Sequence, residues 1–98
     1  MMCRESFADR IQCEVHYSGH VQGVGFRYTT VSIARRFNVV GYVQNLPDGR
    51  VRLVTEGPPG EVDGLLRAVA DQMGDLVQDV ARENKTPTGE FASFGVRH

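Results

Sequence analysis

Gly19-His20-Val21-Gln22-Gly23-Val24-Gly25-Phe26-Arg27 places glycines and an arginine at the entrance to a helical stretch, a combination suited to holding an anion. A glycine-rich turn running into a helix aims several backbone N–H groups at one point, and the helix dipole adds partial positive charge there. Arg27, in the first helical turn, brings a permanent guanidinium that can hold a phosphate through two parallel hydrogen bonds. Asn45 is the second candidate. Its neutral amide can both donate to and accept from a water, and it carries no negative charge to repel an anionic substrate.

Other chemistries fit these residues poorly. Gly23 and Gly25 begin a Gly-x-Gly-x-x-Gly frame, but Tyr28 occupies the third glycine position, and no P-loop lysine follows. A cysteine-nucleophile phosphatase needs an arginine six positions after its cysteine; Gly19 follows Cys13 there and Asp9 follows Cys3. His16 and His20 lie four apart on a strand-to-loop path, which gives no shared helical face, and no third ligand accompanies them, so no metal site is expected.

The elements that must position Arg27 and Asn45 follow from periodicity. Ile11, Cys13, Val15 and Tyr17 alternate with Gln12, Glu14, His16 and Ser18, which predicts a half-buried strand. Phe26, Thr30, Ile33, Ala34 and Phe37 share one helical face, and Asn38 is expected to end that helix in the left-handed conformation. Val39 to Asn45 and Arg50 to Glu56 read as a hairpin around the turn Leu46-Pro47-Asp48-Gly49. Val62, Leu65, Leu66, Val69 and Met73 predict a second helix ending at Gly74. Leu76 to Arg82 reads as a fourth strand, Glu83 to Glu90 as a polar loop and Phe91 to Arg97 as a short fifth strand.

This order, βαββαβ plus a fifth strand, predicts an α+β, ferredoxin-like split βαβ sandwich with both helices on one face of an antiparallel sheet. Right-handed crossovers put the first four strands in the order 4-1-3-2. The first and second strands then run parallel, so the loop from Ser18 to Arg27 and the strand end at Asn45 meet at one edge.

Composition narrows the partners. The chain has 98 residues, with 11 Lys and Arg against 12 Asp and Glu for a net charge of -1, so there is no general electrostatic attraction to nucleic acid or anionic lipid. Its apolar runs are too short to span a membrane, residues 1–10 lack a secretory apolar stretch, and Cys3 and Cys13 suit a reducing compartment. A flexible tail over 1–10, one domain over 11–98, a cytoplasmic location and a monomeric state are expected. Gly23-Val24-Gly25-Phe26 faintly matches an RNA-recognition motif, but Phe26 belongs to the helix face that packs the core and not to a stacking strand.

The glycine segment and a second one, Gly41-Tyr42-Val43-Gln44-Asn45-Leu46-Pro47-Asp48-Gly49-Arg50-Val51, together resemble the two signature segments of acylphosphatases. Ala34, Glu56-Gly57 and Phe94-Gly95-Val96-Arg97 also sit where that family has similar residues, so the resemblance covers Ile11 to His98. It implies a cofactor-free hydrolase that splits an acyl phosphate into carboxylate and inorganic phosphate. Arg27 matches the family's phosphate-binding arginine, Asn45 the asparagine that orients the attacking water, and the backbone of His20, Val21, Gln22, Gly23, Val24, Gly25 and Phe26 the phosphate cradle. His20 stands where the family usually has Arg or Lys, and Asn38 where it usually has Gly. The alternative is a catalytically silent module of the same fold that binds a phosphorylated ligand. A carboxylate is a good leaving group, so positioning and charge stabilisation can supply most of the acceleration without a strong general acid.

Overall fold

A computed structural model describes residues 10–98. The tail expected over 1–10 lies, up to residue 9, outside the described residues, as does Cys3. The element order is β1 (Ile11–Gly19), α1 (Phe26–Ala34), β2 (Val40–Asn45), β3 (Val51–Gly57), α2 (Pro59–Met73), β4 (Val77–Lys85) and β5 (Phe94–Arg97), with one 3-10 turn over Gly74–Leu76 between α2 and β4. The sheet order is β4-β1-β3-β2-β5, which contains the expected 4-1-3-2 arrangement. Two helices packed on a five-stranded sheet make this a ferredoxin-like fold. Among the described residues, no helix is long and apolar enough to cross a membrane.

The sheet is mixed and not wholly antiparallel, because β5 pairs parallel to β2 in the register Gly41↔Phe94 to Gln44↔Arg97. The connection from β4 must cross from one sheet edge to the other before β5 begins, which fixes that direction. β5 also starts three residues later than Phe91, and β4 runs on to Lys85 instead of ending at Arg82. Pairing with β1 carries that extension, from Gln12↔Lys85 to Glu14↔Glu83, and the Glu14–Lys85 ion pair and the hydrogen bond from Cys13 Sγ to Asn84 Oδ1 join the same two strands.

The alternation in β1 places Cys13, Val15 and Tyr17 in the core with Phe26, Leu53, Leu65 and Val69. α1 ends at Ala34, three residues short of the expected Phe37, and Asn38 does not take the left-handed conformation. The chain instead tightens, with Arg36 N–H donating to Ile33 O and Phe37 N–H to Ala34 O, both at 3.0 Å. Glu61 in the first turn of α2 then accepts the Asn38 N–H at 2.7 Å, so the turn needs no left-handed residue. α2 begins at Pro59, whose fixed φ and missing N–H suit a first helical position.

Gln12, placed by alternation on the solvent side, is buried, and the cause is Glu56. The Glu56 carboxylate is fully buried on the sheet face away from the core and accepts hydrogen bonds from Gln12 Nε2, Thr88 N, Thr88 Oγ1 and Gly89 N at 2.6–3.2 Å. It thereby ties the β4–β5 connection to β3. Burial pushes its pKa up, but these donors outweigh burial and hold it below the ordinary carboxylate value. A depressed folded-state pKa contributes stability above the unfolded-state value, and that contribution is lost as pH falls through the lowered folded-state value. Urea unfolding from pH 7 to pH 3 should therefore show a smaller loss of stability for Glu56→Gln than for the wild type. At pH 7 the variant should itself be less stable by about 1–3 kcal/mol, since an amide donor would face donors from Thr88 and Gly89. Parallel pH profiles would show that Glu56 is not the linked group.

Candidate active site

Gly23 and Gly25 turn the chain between β1 and α1. Their φ angles are +77° and +79°, in the left-handed region that costs a residue with a Cβ far more than glycine. The loop is nonetheless fixed at both ends. Val21 and Phe26 are buried in the core, and the Phe26 ring lies 5.1 Å from that of Tyr17, so apolar burial worth about 1.5–3 kcal/mol per side chain holds the glycines between them.

Asn45 reaches the same place from β2. The hairpin that follows it is closed by Leu46 N–H to Arg50 O at 2.8 Å and by the Arg50–Asp48 ion pair. Val21, Gly23, Gly25, Phe26, Arg27, Tyr28 and Asn45 line one cleft of about 80 Å³. The separate segments around Arg27 and Asn45 therefore converge.

Gln22 does more than the sequence indicated. Its Nε2 donates to Leu46 O at 2.8 Å and to Arg50 O at 2.9 Å, stapling the glycine loop to the hairpin beside Asn45. A polar side chain in the middle of an apolar and glycine segment was the available signal. In the sequence Tyr28 stands out only as the residue in the third glycine position of a glycine frame, yet it lines the cleft.

His20 stands apart from this group. It is exposed and absent from the cleft lining, and its backbone N–H donates to Leu76 O at 2.9 Å, so that N–H is already engaged within the protein. His16 lies on the sheet face with Nε2 3.6 Å from Glu14. Among the described residues, no three His, Cys, Asp or Glu side chains converge as a metal-binding group.

The cleft is electrostatically prepared for an anion. The first turn of α1 contains no acidic residue, and its N-terminal cap uses no side chain. Arg27 is half-buried and has no carboxylate within ion-pair distance among the described residues. Asn45 Oδ1 is buried and has no hydrogen-bond partner among the described residues, an arrangement that normally costs about 1–3 kcal/mol unless a partner is supplied. A larger cavity of about 260 Å³ between the end of α2 and β4 is more apolar, and its one charged lining residue, Asp79, has the wrong sign for a phosphate.

Residues 13–96 match the family model described as Acylphosphatase. An acylphosphatase of Rubrobacter xylanophilus is 51% identical over 94 residues, covering 95% of this chain and 86% of that protein. One of Nostoc sp. is 46% identical over 80 residues, covering 81% of this chain and 79% of its own. The crystal structure of acylphosphatase from Bacillus subtilis superposes with a TM-score of 0.80 at 28% identity, covering 90% of this chain and 99% of that one.

Proposed function

The chain belongs to the acylphosphatase family, and on that premise we propose that Arg27 binds the phosphate of an acyl phosphate while Asn45 orients the water that attacks it. The observation that carries this reading is the buried, unpartnered Oδ1 of Asn45 in the cleft it shares with Arg27. An acceptor so placed costs stability unless it receives a proton donor, and an attacking water supplies one.

The phosphate sits with its oxygens against the N–H groups of the loop after His20 and the first turn of α1, and Arg27 neutralises its remaining charge. Water, held by Asn45 Oδ1, approaches phosphorus opposite the acyl oxygen. The new P–O bond forms as the bond from phosphorus to the acyl oxygen breaks, and that electron pair leaves on the carboxylate. No His, Asp or Glu lines the cleft, so a phosphate oxygen of the substrate takes the proton released by the water. Charge spreads over the phosphoryl oxygens in the transition state, and preorganised donors stabilise it most there. The same reading makes the protein a cytoplasmic monomer that uses no cofactor or metal and engages neither nucleic acid nor membrane.

Hydrolysis in H2(18O) with EDTA present tests this sequence of events. Turnover should persist and the label should appear in inorganic phosphate, because water attacks phosphorus. Label in the carboxylate would place the attack at the acyl carbon. Activity abolished by EDTA and restored by one divalent ion would show a metal requirement.

A further inference from the structure

The cleft that contains Arg27 and Asn45 is far smaller than the roughly 300–1,000 Å³ of sites that enclose a whole drug-sized ligand. At about 80 Å³ it suits a phosphoryl group, and the acyl part of the substrate must project past its rim. The rim is apolar in an unusual way. Among the described residues, the exposed large hydrophobic side chains are Val24, Tyr28 and Val80; Tyr28 is 67% exposed and lines the cleft, and Val24 is 44% exposed between its lining residues Gly23 and Gly25. Apolar surface left in water at the mouth of a cleft offers burial to the part of a ligand that projects from it. We propose that Tyr28, flanked by Val24, forms the acyl-binding wall of the active site and selects substrates whose acyl group is aromatic or otherwise flat and apolar.

The inference rests on the phosphate lying beside Arg27. Tyr28 follows Arg27 directly in α1 and lines the same cleft, so a phosphate held by that guanidinium and the loop leaves its acyl group within reach of the exposed Tyr28 ring. A phenol ring offers a broad apolar face at little conformational cost, having only two side-chain torsions to fix. Its hydroxyl is not needed for this contact, so phenylalanine should replace it.

The test compares benzoyl phosphate with acetyl phosphate as substrates of the wild type, Tyr28→Ser, Tyr28→Phe and Val24→Ser. The ratio of kcat/KM for benzoyl over acetyl phosphate should fall about three- to tenfold in Tyr28→Ser, the range expected for one aromatic contact. It should fall less in Val24→Ser and hold in Tyr28→Phe, with inhibition by inorganic phosphate within about twofold of wild type in the two Tyr28 variants. An unchanged ratio in Tyr28→Ser, or an equal loss with both substrates, would overturn the acyl-wall role while leaving the phosphate assignment intact. Phosphate inhibition of Arg27→Lys, measured alongside, should be clearly weakened. If it is not, the phosphate is held elsewhere, and the acyl-wall proposal falls with that reading.

Discussion

Arg27→Gln is expected to lower kcat/KM for an acyl phosphate by about 10³-fold, the scale on which one charged group facing a transferring phosphoryl contributes. Arg27 has no carboxylate partner among the described residues, so its removal orphans no acid. It is half-buried at the start of α1, beside the buried Phe26, and supplies charge at the cleft without filling core volume. The melting temperature and far-ultraviolet circular dichroism should therefore stay near wild type, within the roughly ±0.5 kcal/mol typical of surface substitutions. Losing the guanidinium removes both a permanent charge and the paired donors that match two phosphate oxygens, so inhibition by inorganic phosphate should weaken together with turnover. Near-normal kinetics in a folded Arg27→Gln protein would show that another group holds the phosphate.

The parts of this site that could be read from the sequence are those that depend on local rules. Glycines 23 and 25 before an amphipathic helix specify a turn, and the alternation of β1 and the Pro47-Asp48-Gly49 turn specify strands whose ends must meet. The parts that could not be read depend on partners distant in the chain. Gln12 is buried because it donates to Glu56, whose carboxylate in turn accepts from the Thr88 and Gly89 backbone N–H groups, and β4 continues through polar residues to Lys85 because β1 offers them cross-strand partners. Asn38 avoids the left-handed conformation because Glu61, on the other helix, accepts its N–H. The Gln22 staple has the same character: a side chain whose role exists only once the loop and the hairpin are folded together.

Asn45 lies next to that staple, and its replacement should separate binding from chemistry. If Oδ1 fixes the direction of the attacking water, Asn45→Ala should lower kcat by about 10²-fold or more, the penalty for losing alignment of a reacting group. KM and phosphate inhibition should change little, because the donors to phosphate come from the loop backbone and Arg27. Protein stability is informative as well: Oδ1 has no partner among the described residues, so truncating the side chain removes no protein hydrogen bond to that atom and should cost little or even raise the melting temperature. Asn45→Asp provides the contrasting case. It keeps an acceptor at nearly the same position but sets a negative charge against the phosphate, so it should weaken phosphate inhibition where Asn45→Ala does not. The two variants thus fail in different parameters if the amide acts on water. Were Asn45→Ala to keep a normal kcat and lose phosphate inhibition, the amide would be a ligand of the phosphate and the attacking water would have to be directed from elsewhere in the cleft.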